Sequence, residues 1–207
     1  MPAPSTALFA TLLLAGGRSQ RMGEDKAQLM WQGRPLWQVQ LEKLLEVESS
    51  HCLVACREEQ ELHLDCPDDE AVTWLFDPVE DDNGPLGAIT RALASIAVPT
   101  LVLAVDMPFM TTDFLRTRLE RSRERGCFFA TGHGIEPMTG CYAPAMLPLM
   151  EKRLARGEKS LRGAISECVE LGLAQVMHLN EGEETLFTNA NTPGEWQDCQ
   201  HFKERLG

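Results

Sequence analysis

Short apolar runs alternate with longer amphipathic ones along the whole chain, the rhythm of strands and covering helices in a mostly parallel sheet. ALFATLL (Ala7 to Leu13), CLVAC (Cys52 to Cys56), VTWLFD (Val72 to Asp77) and TLVLAVD (Thr100 to Asp106) read as strands, the last most strongly. CFFAT (Cys127 to Thr131) is a further strand, PMTGCYA (Pro137 to Ala143) is placed to run back beside it, and a short strand is expected near Ala174 to His178. Between them, Pro35 opens a helical pattern with Leu36, Val39, Leu41, Leu44 and Leu45 broadly on one side. Gly84 to Ile96 starts on Gly-Pro, and Thr111, Thr112 and Asp113 are N-cap candidates for a helix to about Arg125. Two more helices are expected over 144–156 and 160–171, and an amphipathic one follows FTNANTPGEW to the end. With neither repeat nor linker, residues 1–207 are expected to form one α/β domain of three layers, α/β/α, large enough to bury a core without disulfides or structural metal.

The segment after the first run breaks the pattern. LAGGRSQRMGEDK (Leu14 to Lys26) places two adjacent glycines and three cations where the strand ends, with no bulky apolar residue between Leu14 and Met22. Gly16 and Gly17 let the backbone turn its N–H groups outward, as an anion cradle requires, and Arg18, Arg21 and Lys26 add full charges. Such a loop suits a triphosphate better than a single phosphate. It is not a Walker loop, because Lys26 lies between Asp25 and Ala27 with no adjoining hydroxyl, and Gly16-Gly17 followed by Gly23 does not fit Gly-x-Gly-x-x-Gly. Taken on the loop alone, a glycine turn with solvated charges remains the competing reading.

Charge sharpens this picture. A net charge of −12, from 31 acidic and 19 basic residues, argues against nucleic acid or an acidic membrane as the main partner. An anionic substrate must therefore be met by a local cationic site, and this loop is the obvious one. The acidic stretches Asp68-Asp69-Glu70 and Glu80-Asp81-Asp82 read as solvated loops. Seven scattered cysteines, an odd number mostly beside apolar segments, read as reduced core residues. His51, Cys52, Cys56, His63 and Cys66 suit zinc by type, but on one strand Cys52 and Cys56 would lie about 13 Å apart. The N-terminal MPAPSTALFATLLLAGG has the apolar core of a signal peptide without a preceding Lys or Arg, so a cytoplasmic location is expected. No apolar run approaches the ~20 residues of a membrane span.

Ligands of an open parallel sheet bind beyond the carboxyl ends of its strands, and the candidate groups obey that rule. The loop follows the first strand, Asp77 and Asp106 end two others, and Asn189 and Asn191 follow the last. Asp106 stands out, because it closes the apolar run LVLAV and precedes Met107-Pro108, where a ladder cannot continue normally. A divalent ion with triphosphate oxygens would pair it, although a strand-end Asp also caps turns. On the residues alone, Asp77 before Pro78 and Asn-x-Asn-Thr-Pro read as a turn and a capped helix entrance. His133 lies in TGHGIEP, where a general base could sit but a surface loop is the simpler reading.

LAGGRSQRMGEDKA, GRPLWQ, Asp77 seven residues before GPLG, AVDMPF, GEKSLR and FTNANTPGEW together resemble the molybdenum cofactor guanylyltransferase (MobA-like) family, over residues from about 8 to 203. The resemblance implies a Rossmann-like sheet of the nucleotidyltransferase type. It implies transfer of GMP from GTP to the terminal phosphate of molybdenum-bound molybdopterin with release of pyrophosphate, Mg²⁺ as cofactor, and molybdenum-insertion proteins and molybdoenzymes as further partners. By the same resemblance, Leu14, Ala15 and Gly16 would meet base and ribose, Gly17, Arg21 and Lys26 the phosphates, and Asp77 the nucleotide. Asp106 would bind Mg²⁺, with Asn189 and Asn191 on the metal and acceptor side, and Arg21, Lys26 and Asp106 carrying the catalysis. Two positions depart from the family: Val54-Ala55-Cys56-Arg57 stands where some members place a nucleotide-touching Asn, and Glu136-Pro137 where some have His-Pro. The acceptor phosphate is already ionised near neutral pH, so the chemistry asks for positioning and charge neutralisation rather than a general base. Within the class the alternatives are a cytidylyltransferase for the same cofactor or a sugar or polyol phosphate nucleotidyltransferase. Outside it, the alternative is a silent nucleotide or cofactor carrier.

Overall fold

The computed structural model describes residues 9–17, 22–66, 69–78, 83–119 and 125–206. The elements in chain order are β1 (Ala10–Leu14), β2 (Met30–Trp31), β3 (Arg34–Pro35), α1 (Leu36–Leu45), β4 (His51–Cys56), β5 (Val72–Phe76), α2 (Gly84–Ile96), β6 (Thr100–Ala104), α3 (Thr112–Phe114), β7 (Gly126–Thr131), β8 (Gly134–Tyr142), α4 (Leu147–Ala155), α5 (Leu161–Glu170), β9 (Ala174–His178) and α6 (Pro193–Leu206). Seven strands form one sheet in the order β5-β4-β1-β6-β8-β7-β9, with β8 alone antiparallel to its neighbours. The expected α/β/α architecture and mostly parallel sheet are therefore present.

β1 is an interior strand and every one of its residues is buried, which only a strand flanked on both edges and covered on both faces can sustain. Leu12 pairs with Leu53 on one side and Val102 on the other. Alternation then sorts the side chains. Leu13, Val54 and Leu103 pack with Trp37, Leu41 and Leu44 of α1 and Trp196 of α6, whereas Leu12, Leu53 and Val102 pack with Ile89 and Leu93 of α2, Met150 of α4 and Ile165 of α5. The chain steps outward from β1 to β4 and β5, then crosses back through α2 to β6 on the opposite flank. The strand order thus reverses at β1, the place in such sheets where connecting loops part and leave a crevice.

Several expectations need adjustment. In α1 the buried face is Leu36, Trp37, Gln40, Leu41 and Leu44, while Val39 and Leu45 are only partly buried. β6 stops at Ala104, so Val105 and Asp106 belong to the turn beyond it. Thr111 does cap a helix, its hydroxyl accepting from the Phe114 amide at 3.2 Å, but three α-helical residues pass into a wider turn over Leu115–Leu119. The two-stranded β2–β3 ribbon, turning at Gln32 and Gly33 with positive φ, gives no periodic signal in so short a segment. His133 sits exposed in the turn between β7 and β8. All seven cysteines are free, and six of them are buried. Cys52 and Cys56 do share β4. Among the described residues no helix is long and apolar enough to cross a membrane.

Candidate functional site

The loop after β1 is held from behind. Ala15 continues the ladder by donating its amide to Ala55 O at 2.8 Å, after which the backbone leaves the sheet. Arg57, just past β4, donates one guanidinium nitrogen to both Gly16 O (2.8 Å) and Gly17 O (2.7 Å). Gln60 donates to Ala15 O at 3.0 Å. Both side chains also reach Asp25 Oδ2, at 3.0 and 2.7 Å, while Asp25 Oδ1 accepts the Ala27 amide at 3.0 Å and caps the short turn that begins at Lys26. Three consecutive carbonyls are thereby taken up on one side of the loop. Leu14 and Ala15 are themselves buried.

Lys26 emerges from that capped turn into the centre of the site. Its ammonium donates to Asp106 Oδ2 and to Asn191 Oδ1, each at 2.8 Å. Three segments 80 and 165 residues apart in sequence meet in this contact. Asp106 is positioned by its turn, where Val105 donates to Leu14 O at 3.1 Å and Ala190 donates to Asp106 O at 3.4 Å. Asn191 is aimed by the start of α6. Glu195 Oε2 accepts the amides of Asn191 (2.6 Å) and Thr192 (3.1 Å), and Thr192 Oγ1 accepts the Glu195 amide at 3.3 Å. This is a capping box, so Asn-x-Asn-Thr-Pro is a capped helix entrance and a site segment at once.

Asp77 follows β5 and donates its amide to Cys56 O at 2.8 Å. Its carboxylate accepts from Arg91 of α2 and packs against the loop: a Cβ on Gly16 would lie 2.3 Å from Asp77 Oδ2. Gly16 is thus required by close approach, whereas among the described residues nothing lies within 4 Å of the corresponding point on Gly17. Cys56, beside this contact, has its thiol pushed up to about 12 by burial first and the Asp77 charge second.

Of the expected residues, then, Lys26, Asp106 and Asn191 are in direct contact, and Gly16 and Asp77 touch one another. Asn189 instead lines a cavity of about 470 Å³ with Phe109, Thr188, Asp198 and Phe202. Arg18 and Arg21 lie outside the described residues, as do Asp68, Glu80, Asp81 and Asp82. Sequence reasoning passed over Arg57, Gln60 and Arg91 as site supports, since no local spacing ties them to the loop. It also left Glu136 open. That residue is buried on β8, accepts the Met138 amide at 2.9 Å, and has its pKa raised by burial above all, with the Asp106 charge adding to the rise.

The fold and this rim define a protein with a polar site at the carboxyl edge of a mostly parallel α/β sheet. Residues 11–171 match the family model of the MobA-like NTP transferase domain, and the chain belongs to that family of nucleotidyltransferases. A protein of Synechococcus elongatus called a probable molybdenum cofactor guanylyltransferase is 32% identical over 201 residues, spanning 93% of this chain and 98% of its own. The molybdenum cofactor guanylyltransferase of Xanthomonas euvesicatoria is 31% identical, over 92% of this chain and 93% of its own. The crystal structure of molybdopterin-guanine dinucleotide biosynthesis protein A from Archaeoglobus fulgidus superposes with a TM-score of 0.76 at 21% identity, covering 95% of this chain and 99% of that one, which establishes the fold.

Proposed function

We propose that the protein transfers GMP from GTP to the terminal phosphate of molybdopterin, forming the guanine dinucleotide cofactor and releasing pyrophosphate. The observation that carries this reading is the meeting of Lys26, Asp106 and Asn191 at 2.8 Å beside a loop whose carbonyls are turned away and tied down. The guanylyltransferase names of the relatives supply the base and the acceptor.

The residues fit Mg²⁺. A hard divalent ion takes oxygen ligands, often one or two from protein and the rest from phosphates and water. Asp106 Oδ2 and Asn191 Oδ1 already converge on one positive centre, the Lys26 ammonium, so the same oxygens suit a cation bound with nucleotide. When bound, Mg²⁺ supplies charge neutralisation on the phosphate oxygens.

In the proposed reaction an acceptor phosphate oxygen forms a bond to the α-phosphorus as the bond to pyrophosphate breaks. Leu14, Ala15 and Gly16 with the Asp77 carboxylate bind and orient the nucleoside and Gly17 meets the phosphates, the loop and Asp77 being held in place by Arg57, Gln60 and Arg91. Lys26, with Arg21 from the adjoining segment, steadies the charge that grows on the leaving group, where preorganised donors act most strongly. No side chain need remove a proton, because the nucleophile is already ionised. Incubating the protein with molybdopterin and each labelled triphosphate in turn, then identifying the adduct, tests the assignment. A guanine dinucleotide with pyrophosphate is expected. A cytosine adduct, or turnover only with sugar or polyol phosphates, would overturn it, and binding without pyrophosphate release would mark a carrier.

A further inference from the structure

Where β6 ends, the backbone carrying Asp106 loses its ladder. The Val105 amide still pairs with Leu14 O on β1, but Val105 O, Met107 O and Pro108 O lie beyond the last strand residue, Ala104. These carbonyls need donors from elsewhere, because buried backbone acceptors are nearly always paired.

The donors come from α1. Gln40 is fully buried on the face of α1 that otherwise carries Leu36, Trp37, Leu41 and Leu44, where an apolar residue would be expected. Its amide nitrogen donates to Met107 O at 2.6 Å and to Val105 O at 3.3 Å, the carbonyls on either side of Asp106. Lys43, one turn further along the same face, donates to Gln40 Oε1 at 2.8 Å and to Pro108 O at 3.0 Å. The lysine thus orients the glutamine and ties the next carbonyl of the turn. Burial, with Lys203 second, lowers the Lys43 ammonium to about 8, the signature of a charge taken out of water at this contact.

We propose that Gln40 and Lys43 are positioning residues that hold the Val105–Pro108 turn from α1 and so fix the direction of the Asp106 carboxylate. Neither side chain contacts the Lys26–Asp106 pair through any hydrogen bond described; both act through the backbone that carries Asp106. The inference rests on the reading of Asp106 as the metal-holding carboxylate. Supports of this kind behind a ligand carboxylate tune metal affinity more than they tune binding of the organic part of the substrate.

The test uses Mn²⁺ as the probe, its binding followed by electron paramagnetic resonance with GTP present, alongside GTP affinity without metal, kcat and KM for pyrophosphate release, and thermal melting. For Gln40→Leu, Mn²⁺ affinity and kcat are expected to fall about 10-fold while metal-free GTP affinity stays within about two-fold of wild type. Lys43→Met should move the same way by less, and Lys43→Arg, which keeps donors at the site, should restore the wild-type values. Folded Gln40→Leu and Lys43→Met proteins with unchanged Mn²⁺ affinity and kcat would overturn the proposal, as would an equal loss of metal-free GTP affinity. If Gln40→Leu does not fold, the comparison of Lys43→Met with Lys43→Arg decides. Asp106→Asn separates the two levels: if it binds Mn²⁺ like the wild type, the metal assignment and this inference both fall. If it alone is defective, only the role of Gln40 and Lys43 fails.

Discussion

Gly16→Ala offers a perturbation whose size can be worked from the structure. The added methyl would stand 2.3 Å from Asp77 Oδ2, where real contacts stay above 3.0 Å, so the carboxylate must move by roughly 1 Å. It cannot swing freely, being tied to Arg91 through its other oxygen and to Cys56 O through its amide. The next contact, with Cys56 Cα at 3.4 Å, is ordinary packing, and Gly16 has no positive φ, so the backbone tolerates alanine. Weakening a partly exposed Asp77–Arg91 pair should cost under about 1 kcal/mol of stability, a shift in melting of a few degrees at most. If Asp77 binds the nucleotide, the loss there is larger. A hydrogen bond to a charged group is worth about 1.5–3 kcal/mol, or about 10- to 100-fold in KM for GTP. Steady-state pyrophosphate release over a range of GTP concentrations measures it against the wild type. A wild-type KM for Gly16→Ala would refute the reasoning. So would a full further loss on adding Asp77→Ala to Gly16→Ala, since the two changes should act through one contact.

Three further outcomes follow from the same geometry. Lys26→Ala should lower kcat by about 10²-fold or more and weaken GTP binding by less, since the ammonium meets charge that grows during transfer; rates within a few-fold of wild type would remove it from the chemistry. Asp106→Asn should abolish the metal dependence of turnover while melting like the wild type, and an unaltered Mg²⁺ titration would dismiss the assignment. Burial raises the pKa of Glu136 above its unfolded value, so the folded protein holds that proton more tightly; the associated stability is present at low pH and lost as pH rises through the folded pKa. Glu136→Gln should therefore melt above wild type at neutral pH, with the gap closing in acid, and a gap independent of pH would contradict the sign.

What the sequence determined by itself is local. Apolar runs and helical spacing located β4, β5, α2, β7 and β9 to within a residue, and β1 with a start three residues early, because burial imposes its period on each segment separately. The glycine loop, Lys26 and Asp106 stood out as candidates for a related reason, since each lies at or beyond the end of an apolar run, whereas Asp77 and Asn191 read on the residues alone as a turn and a helix entrance and became candidates only through the family resemblance. Only the tertiary structure decided what these groups touch. Strand order brings Asp106 and Asn191 to Lys26 across 80 and 165 residues, and no periodicity encodes such distances. Gln40 was illegible because a polar residue on an apolar face reads as an interruption until its carbonyl partners past β6 are seen. Arg57, Gln60 and Arg91 were hidden in the same way, since a hydrogen bond depends on a few tenths of an ångström in space and leaves no trace in linear order.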